Sequence, residues 1–189
     1  MESWAVQLLT ILGVAVGATG SFVSTRLLDR TRWQREETHR WDAKRLECYS
    51  AFAVSVKDVI NTAQRISAGL GLPSQGQVMD AETGLPLLAT AETDLSGKWE
   101  NILMLGSPDV IIAARDWRHV AWHLEWFARG LRDNAEEYSQ ANIDSGAARR
   151  RFYSAVREDL GIASGPIPEL GWPPPWQQAG DKPPDSVTT

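Results

Sequence analysis

The sequence predicts an all-α chain: an N-terminal transmembrane helix continuing into an antiparallel bundle of about four helices, then a disordered proline-rich tail. Three observations carry that expectation. Trp4 to Thr25 runs for 22 residues without a charge and is followed directly by Arg26, Arg30, Arg32 and Arg35. Apolar residues then recur at steps of three and four through most of residues 26–163, with no strand-like alternation. Beyond that, seven of the ten prolines crowd between Pro166 and Pro184, in a stretch too poor in apolar side chains to build a core.

The first element, residues 4–25, reaches roughly 33 Å at helical rise, against a hydrocarbon core of about 30 Å. A cleaved export signal is the rival reading, since Ala18-Thr19-Gly20 offers small residues for a peptidase. Met1-Glu2-Ser3 lacks the cation that opens such a signal, and export would carry the four arginines across the bilayer. The expected location is therefore the plasma membrane, single-pass, with the N-terminus outside and the C-terminus cytoplasmic. Gly13, Gly17 and Ser21 fall four apart, a row of small residues that lets two spanning helices pack closely. The basic decade Arg26 to Arg35 has net charge +3 and is placed for attraction to anionic headgroups.

The cytosolic part, 26–163, has the size of one ordinary domain. No proline interrupts the chain from the span to Leu72, so span and first bundle helix are expected to form one rod, helical over about 26–69. Its stripe is Tyr49, Phe52, Val56, Val59, Ala63, Ile66 and Leu70, widened by Leu46, Ala53 and Ile60, which suits a bundle better than a two-stranded coiled-coil seam. Gly69, Gly71 and Pro73 end it, and 74–84 reads as a loop. A second helix is expected over about 86–105, carrying Leu88, Leu95, Trp99 and Ile102. The third, 108–135, opens with Ser107, Pro108 and Asp109 and buries Val110, Ala114, Trp117, Ala121, Leu124, Ala128 and Leu131. The fourth, 145–160, carries Phe152, Val156 and Leu160.

Residues 164–189 form the tail, whose one feature is Trp172-Pro173-Pro174-Pro175-Trp176. Three prolines favour polyproline II and hold the two indoles stiffly, either as a docking peptide for a partner or folded back on the bundle.

Chemistry has few candidates. His119 and His123 lie four apart, the spacing of a metal pair, but no HExxH and no cysteine accompanies them, and aromatic packing is the plainer reading. Trp122 and Trp126 are also four apart, away from the core stripe and near Arg118 and Arg129, which fits a protein interface or a broad core. Arg149-Arg150-Arg151 reads as a solvated face paired with Glu158 and Asp159. The lone Cys48 reads as a small packing residue, and a net charge of −5 argues against nucleic acid as a partner. No glycine-rich phosphate loop, GxSxG, kinase or deaminase signature is present, so no enzyme activity, cofactor or metal is expected.

The order of a charge-free span, the helix RTRWQREETHRWDAKRLECYSAF, the opening GSPDV and the final ARRRFYSAVREDLGI resembles small uncharacterised membrane proteins of high-GC actinobacteria. The resemblance covers most of residues 4–163 and implies a bacterial plasma-membrane protein with a helical cytosolic domain. It supplies no activity or functional residues. The expected function is binding, as a scaffold, adaptor or regulatory interaction protein that self-associates and contacts the bilayer and a protein partner. The alternatives are a membrane-tethered small-molecule or metal sensor, and an exported soluble bundle if the N-terminal segment is cleaved.

Overall fold

The computed structural model describes residues 40–74 and 77–162, with 165 and 167 beyond them. The chain divides into two compact units, Met1–Lys44 and Arg45–Thr189. In the first, residues 40–44 are described and are helical. The run 4–25 with its Gly13/Gly17/Ser21 row, the cations Arg26, Arg30, Arg32 and Arg35, the part of the expected continuous rod before residue 40, and Trp172 and Trp176 lie outside the described residues. Among the described residues no helix is long and apolar enough to cross a membrane.

The second unit is all-α, with four helices and no strand among its described residues: α1 over residues 45–69, α2 Ala81–Leu105, α3 Pro108–Ala128 and α4 Ala135–Asp159. Contacts at the two ends set the up-down-up-down order. At one end the Tyr49 hydroxyl donates to Asp159 Oδ2 at 2.6 Å and approaches the Leu105 carbonyl at 3.3 Å, bringing the start of α1 to the ends of α2 and α4. Toward the other end Gln64 Nε2 donates to Asn142 Oδ1 at 2.6 Å, and the Met79 amide donates to the Arg65 carbonyl at 3.0 Å. Each helix thus runs antiparallel to its sequence neighbour, and α4 also runs antiparallel to α1.

The core is the meeting of four apolar stripes. Phe52 of α1 touches a ring from each other helix: Trp99 at 6.3 Å, Trp117 at 6.4 Å and Phe152 at 5.3 Å between centroids. Leu88, Leu95 and Ile102 of α2 and Val110, Ala114, Ala121 and Leu124 of α3 are buried around this aromatic centre. Cys48 is buried as well, and desolvation pushes its thiol pKa upward, which keeps it an inert packing group.

Several expectations are corrected. α2 begins at Ala81, because Asp80 caps it by accepting from the Thr83 amide at 2.8 Å; Pro86 lies inside the helix and does not open it. α3 stops at Ala128, where Gly130 (φ 67) ends it: the Gly130 amide donates to Phe127 and the Leu131 amide to Trp126, satisfying carbonyls of the last turn. Leu131 therefore leaves the stripe and is 70% exposed. α4 starts ten residues before the expected Ser145, at Ala135, because Asn134 accepts from the Glu137 amide at 2.9 Å. The extra turns bury Tyr138 and Ala141. Leu46 and Leu70, expected in the α1 stripe, are exposed. Asp159 faces Tyr49 and Arg45, the latter at 3.8 Å, so it binds across helices and not to the Arg149–Arg151 run.

Candidate functional site

The outer side of α3 presents an aromatic and cationic face. Helical spacing puts Ile112, His119, Trp122 and Trp126 on the side opposite the buried Ala114, Trp117, Ala121 and Leu124. Trp122 and Trp126 keep 36% and 45% of their surface exposed, so the core does not absorb them.

Neighbouring groups fix how these rings stand. The Arg118 guanidinium lies 4.5 Å from the Trp122 ring centroid and 5.5 Å from that of Trp99 on α2. It ties α2 to α3 by cation–π attraction of about 1 kcal/mol per contact. Its Nη2 donates to Ser96 Oγ at 3.4 Å, while its Nε has no hydrogen-bond partner among the described residues. Desolvation draws the Arg118 pKa below its ordinary value, with Glu100 and Glu92 opposing the effect, and an arginine remains charged regardless. His119 stacks on Trp122 at 5.5 Å with planes 27° apart. Arg132 sits 5.4 Å from the Trp126 centroid and is held by Glu137.

The two histidines do not converge as a ligand pair. His123 packs against Trp126 at 5.6 Å and Phe127 at 5.5 Å, with Nε2 3.4 Å from Glu137 Oε1, while His119 is engaged with Trp122. Among the described residues no group of three or more His, Cys, Asp or Glu is gathered to hold a metal ion.

Between α2 and α3 lies a carboxyl pair that sequence spacing does not announce. Glu125 of α3 is 6% exposed and accepts from Arg129 Nε one helical turn on; Arg129 Nη2 also reaches Glu92 Oε2 of α2 at 3.4 Å. Burial, then a hydrogen bond with Glu125 and repulsion from its charge, push the Glu92 pKa up to about 7, against the pull of Arg129 and Arg118. Arg129 thus serves the inner pair, and Arg132, not singled out from the sequence, takes the place beside Trp126. The Glu125/Arg129 spacing of four is visible in the sequence; Glu92, 33 positions before Glu125, carries no such signal.

The arrangement offers flat apolar surface and bordering positive charge. No family model matches the chain, and no curated protein or solved structure is similar to it.

Proposed function

We propose that the chain is a membrane-tethered scaffold or adaptor that holds its helical bundle at the cytoplasmic face of the plasma membrane and binds a protein partner through the Trp122–Trp126 face. The observation that carries this reading is the pair of half-exposed indoles held by arginines on the outside of an otherwise well-buried core. Tryptophan and arginine dominate the energetic centres of protein interfaces, because a rigid ring offers large contact area at little entropic cost. Here Arg118 and Arg132 order the rings before any partner arrives.

The bordering charge specifies the partner's chemistry. Arg118 and Arg132 lie against the indoles, and helical spacing puts Arg115 on the same face of α3. The matching ligand is a segment of apolar or proline side chains flanked by carboxylates. The tether is supported by the charge-free run 4–25 with Arg26, Arg30, Arg32 and Arg35 behind it, and pairing of two copies by the Gly13/Gly17/Ser21 row.

The test is cross-linking of the full chain in intact membranes, with mass spectrometry of the joined peptides, for wild type and for the Trp122→Ala/Trp126→Ala double variant. The expected result is a partner peptide carrying apolar or proline residues beside Asp or Glu, lost at least tenfold in the variant while its melting temperature stays within a few degrees. A large fall in melting temperature with undiminished cross-linking would assign the indoles to the fold and refute the reading.

A further inference from the structure

We propose that the Trp122 face carries a proton-operated switch: Arg118 stands over Trp122 and Trp99 while Glu92 holds its proton, and shifts one helical turn along α2 to Glu92 when that carboxyl ionises, taking its charge off Trp122. Its effect on a partner rests on the reading of this face as a binding surface. The movement itself does not.

Charge in the seam between α2 and α3 balances only while Glu92 is protonated. Buried Glu125 and the partly buried Glu92 share one guanidinium, that of Arg129, which donates to Glu125 Oε1 and reaches Glu92 Oε2 at 3.4 Å. One carboxylate then meets one arginine. Ionisation of Glu92 adds a second negative charge where Arg129 is already engaged, and a desolvated charge without its own partner is costly. The charged groups of α3 that act on Glu92 are Glu125, Arg129 and Arg118. Arg118 is therefore the cation that can restore balance.

Arg118 in turn lacks an acceptor. Its Nη2 donates to Ser96 Oγ at a long 3.4 Å, its Nε is buried without a hydrogen-bond partner, and no carboxylate pairs with it among the described residues. The rings hold it, at 4.5 Å from the Trp122 centroid and 5.5 Å from that of Trp99. A buried donor without an acceptor gains by finding one.

The two groups are within reach of each other. Ser96 follows Glu92 by four residues on α2, which puts them on one side of that helix about 6 Å apart. A new rotamer of Arg118 covers this distance without any backbone movement. Glu100, four residues beyond Ser96, also attracts Arg118. It is exposed, and a hydrated carboxylate holds an arginine weakly, whereas the bond to Glu92 is charge-assisted and desolvated. Glu92 releases its proton at about pH 7, so the shift falls near neutrality. Loss of one cation–π contact from the face corresponds to about fivefold in affinity.

The test uses the full chain labelled with 5-fluorotryptophan in dodecylmaltoside micelles, titrated from pH 5.5 to pH 8.5, with resonances assigned by single Trp→Phe variants. His119 is the other titratable group at the ring, stacked on Trp122, so every sample carries His119→Gln. The fluorine signals of Trp122 and Trp99 are expected to move together along a single-proton curve centred near pH 7, with buried Trp117 still. In Glu92→Gln they are expected to stay at their low-pH positions throughout. The partner cross-link described above is expected to fall about fivefold between pH 6 and pH 8, and to be independent of pH in Glu92→Gln. A Trp122 signal that is flat with pH, or that titrates equally in Glu92→Gln, overturns the proposal even where the partner still needs the indoles. A Glu92-dependent Trp122 signal with no partner cross-link at any pH sustains the switch and sinks only the partner reading.

Discussion

Replacing Glu92 with glutamine removes an ionisation that opposes folding near neutral pH. In the folded chain Glu92 holds its proton up to about pH 7, because it is desolvated, bonded to Glu125 and repelled by that carboxylate's charge. In the unfolded chain it releases the proton near the ordinary glutamate value of 4.5. Between these values the folded state binds more protons than the unfolded one, so stability falls as pH rises. The contribution is fully present below pH 4.5 and lost above about pH 7. At about 1.4 kcal/mol per pH unit the interval corresponds to about 3 kcal/mol. The side chain keeps 27% of its surface exposed, and solvent screening reduces the figure to about 2 kcal/mol. Glutamine keeps a donor for Glu125 at every pH and does not titrate. Urea unfolding of the full chain followed by circular dichroism at pH 5 and pH 8 is the assay. Glu92→Gln is expected to be close to wild type at pH 5 and about 2 kcal/mol more stable at pH 8. Equal pH dependence in the two proteins would refute the protonated Glu92–Glu125 pair.

Two packing predictions follow from the helix starts. At Gly84 an added Cβ would lie 2.4 Å from Ile66 Cγ1 and 2.8 Å from Cδ1, with Met79 Sδ at 3.0 Å; overpacking against the fully buried Ile66 outweighs the gain in helix propensity, so Gly84→Ala is expected to lose about 1 kcal/mol. A stabilised variant in urea titration would show that α1 and α2 are less tightly apposed than this. Asn134→Ala removes the acceptor of the Glu137 amide and is expected to cost about 1 kcal/mol, with Asn134→Asp restoring most of it; hydrogen exchange should localise the loosening to the first turn of α4, and exchange faster everywhere else but there would contradict it.

The helices were legible where local chemistry and periodicity agree. Ser107-Pro108-Asp109 marks the start of α3, and the α1 stripe from Tyr49 to Ile66 is buried at every expected position. Boundaries failed where two local signals competed. Asp80 sets the start of α2 and Pro86 lies beyond its first turn, so a proline that resembles a helix start is not one. Gly130 and the Asn134/Glu137 pair are stop and start signals four residues apart, and they end α3 and open α4 although the apolar spacing of α3 continues through Leu131. The candidate site was half visible. The Trp122/Trp126 spacing is in the sequence, but exposure depends on how wide the core is, and that depends on four helices at once.

What this sequence determines by itself is helical content, apolar stripes and turn chemistry, because those depend on neighbours three or four positions away. The charge-free run 4–25 and the proline-rich segment belong to the same local class as expectations. The tertiary structure alone decided which groups meet across helices: Arg118 between Trp99 and Trp122, Glu92 beside Glu125, and Tyr49 on Asp159. Those pairs lie up to 110 residues apart, and their proximity follows from the packing of whole helices, which no local pattern encodes.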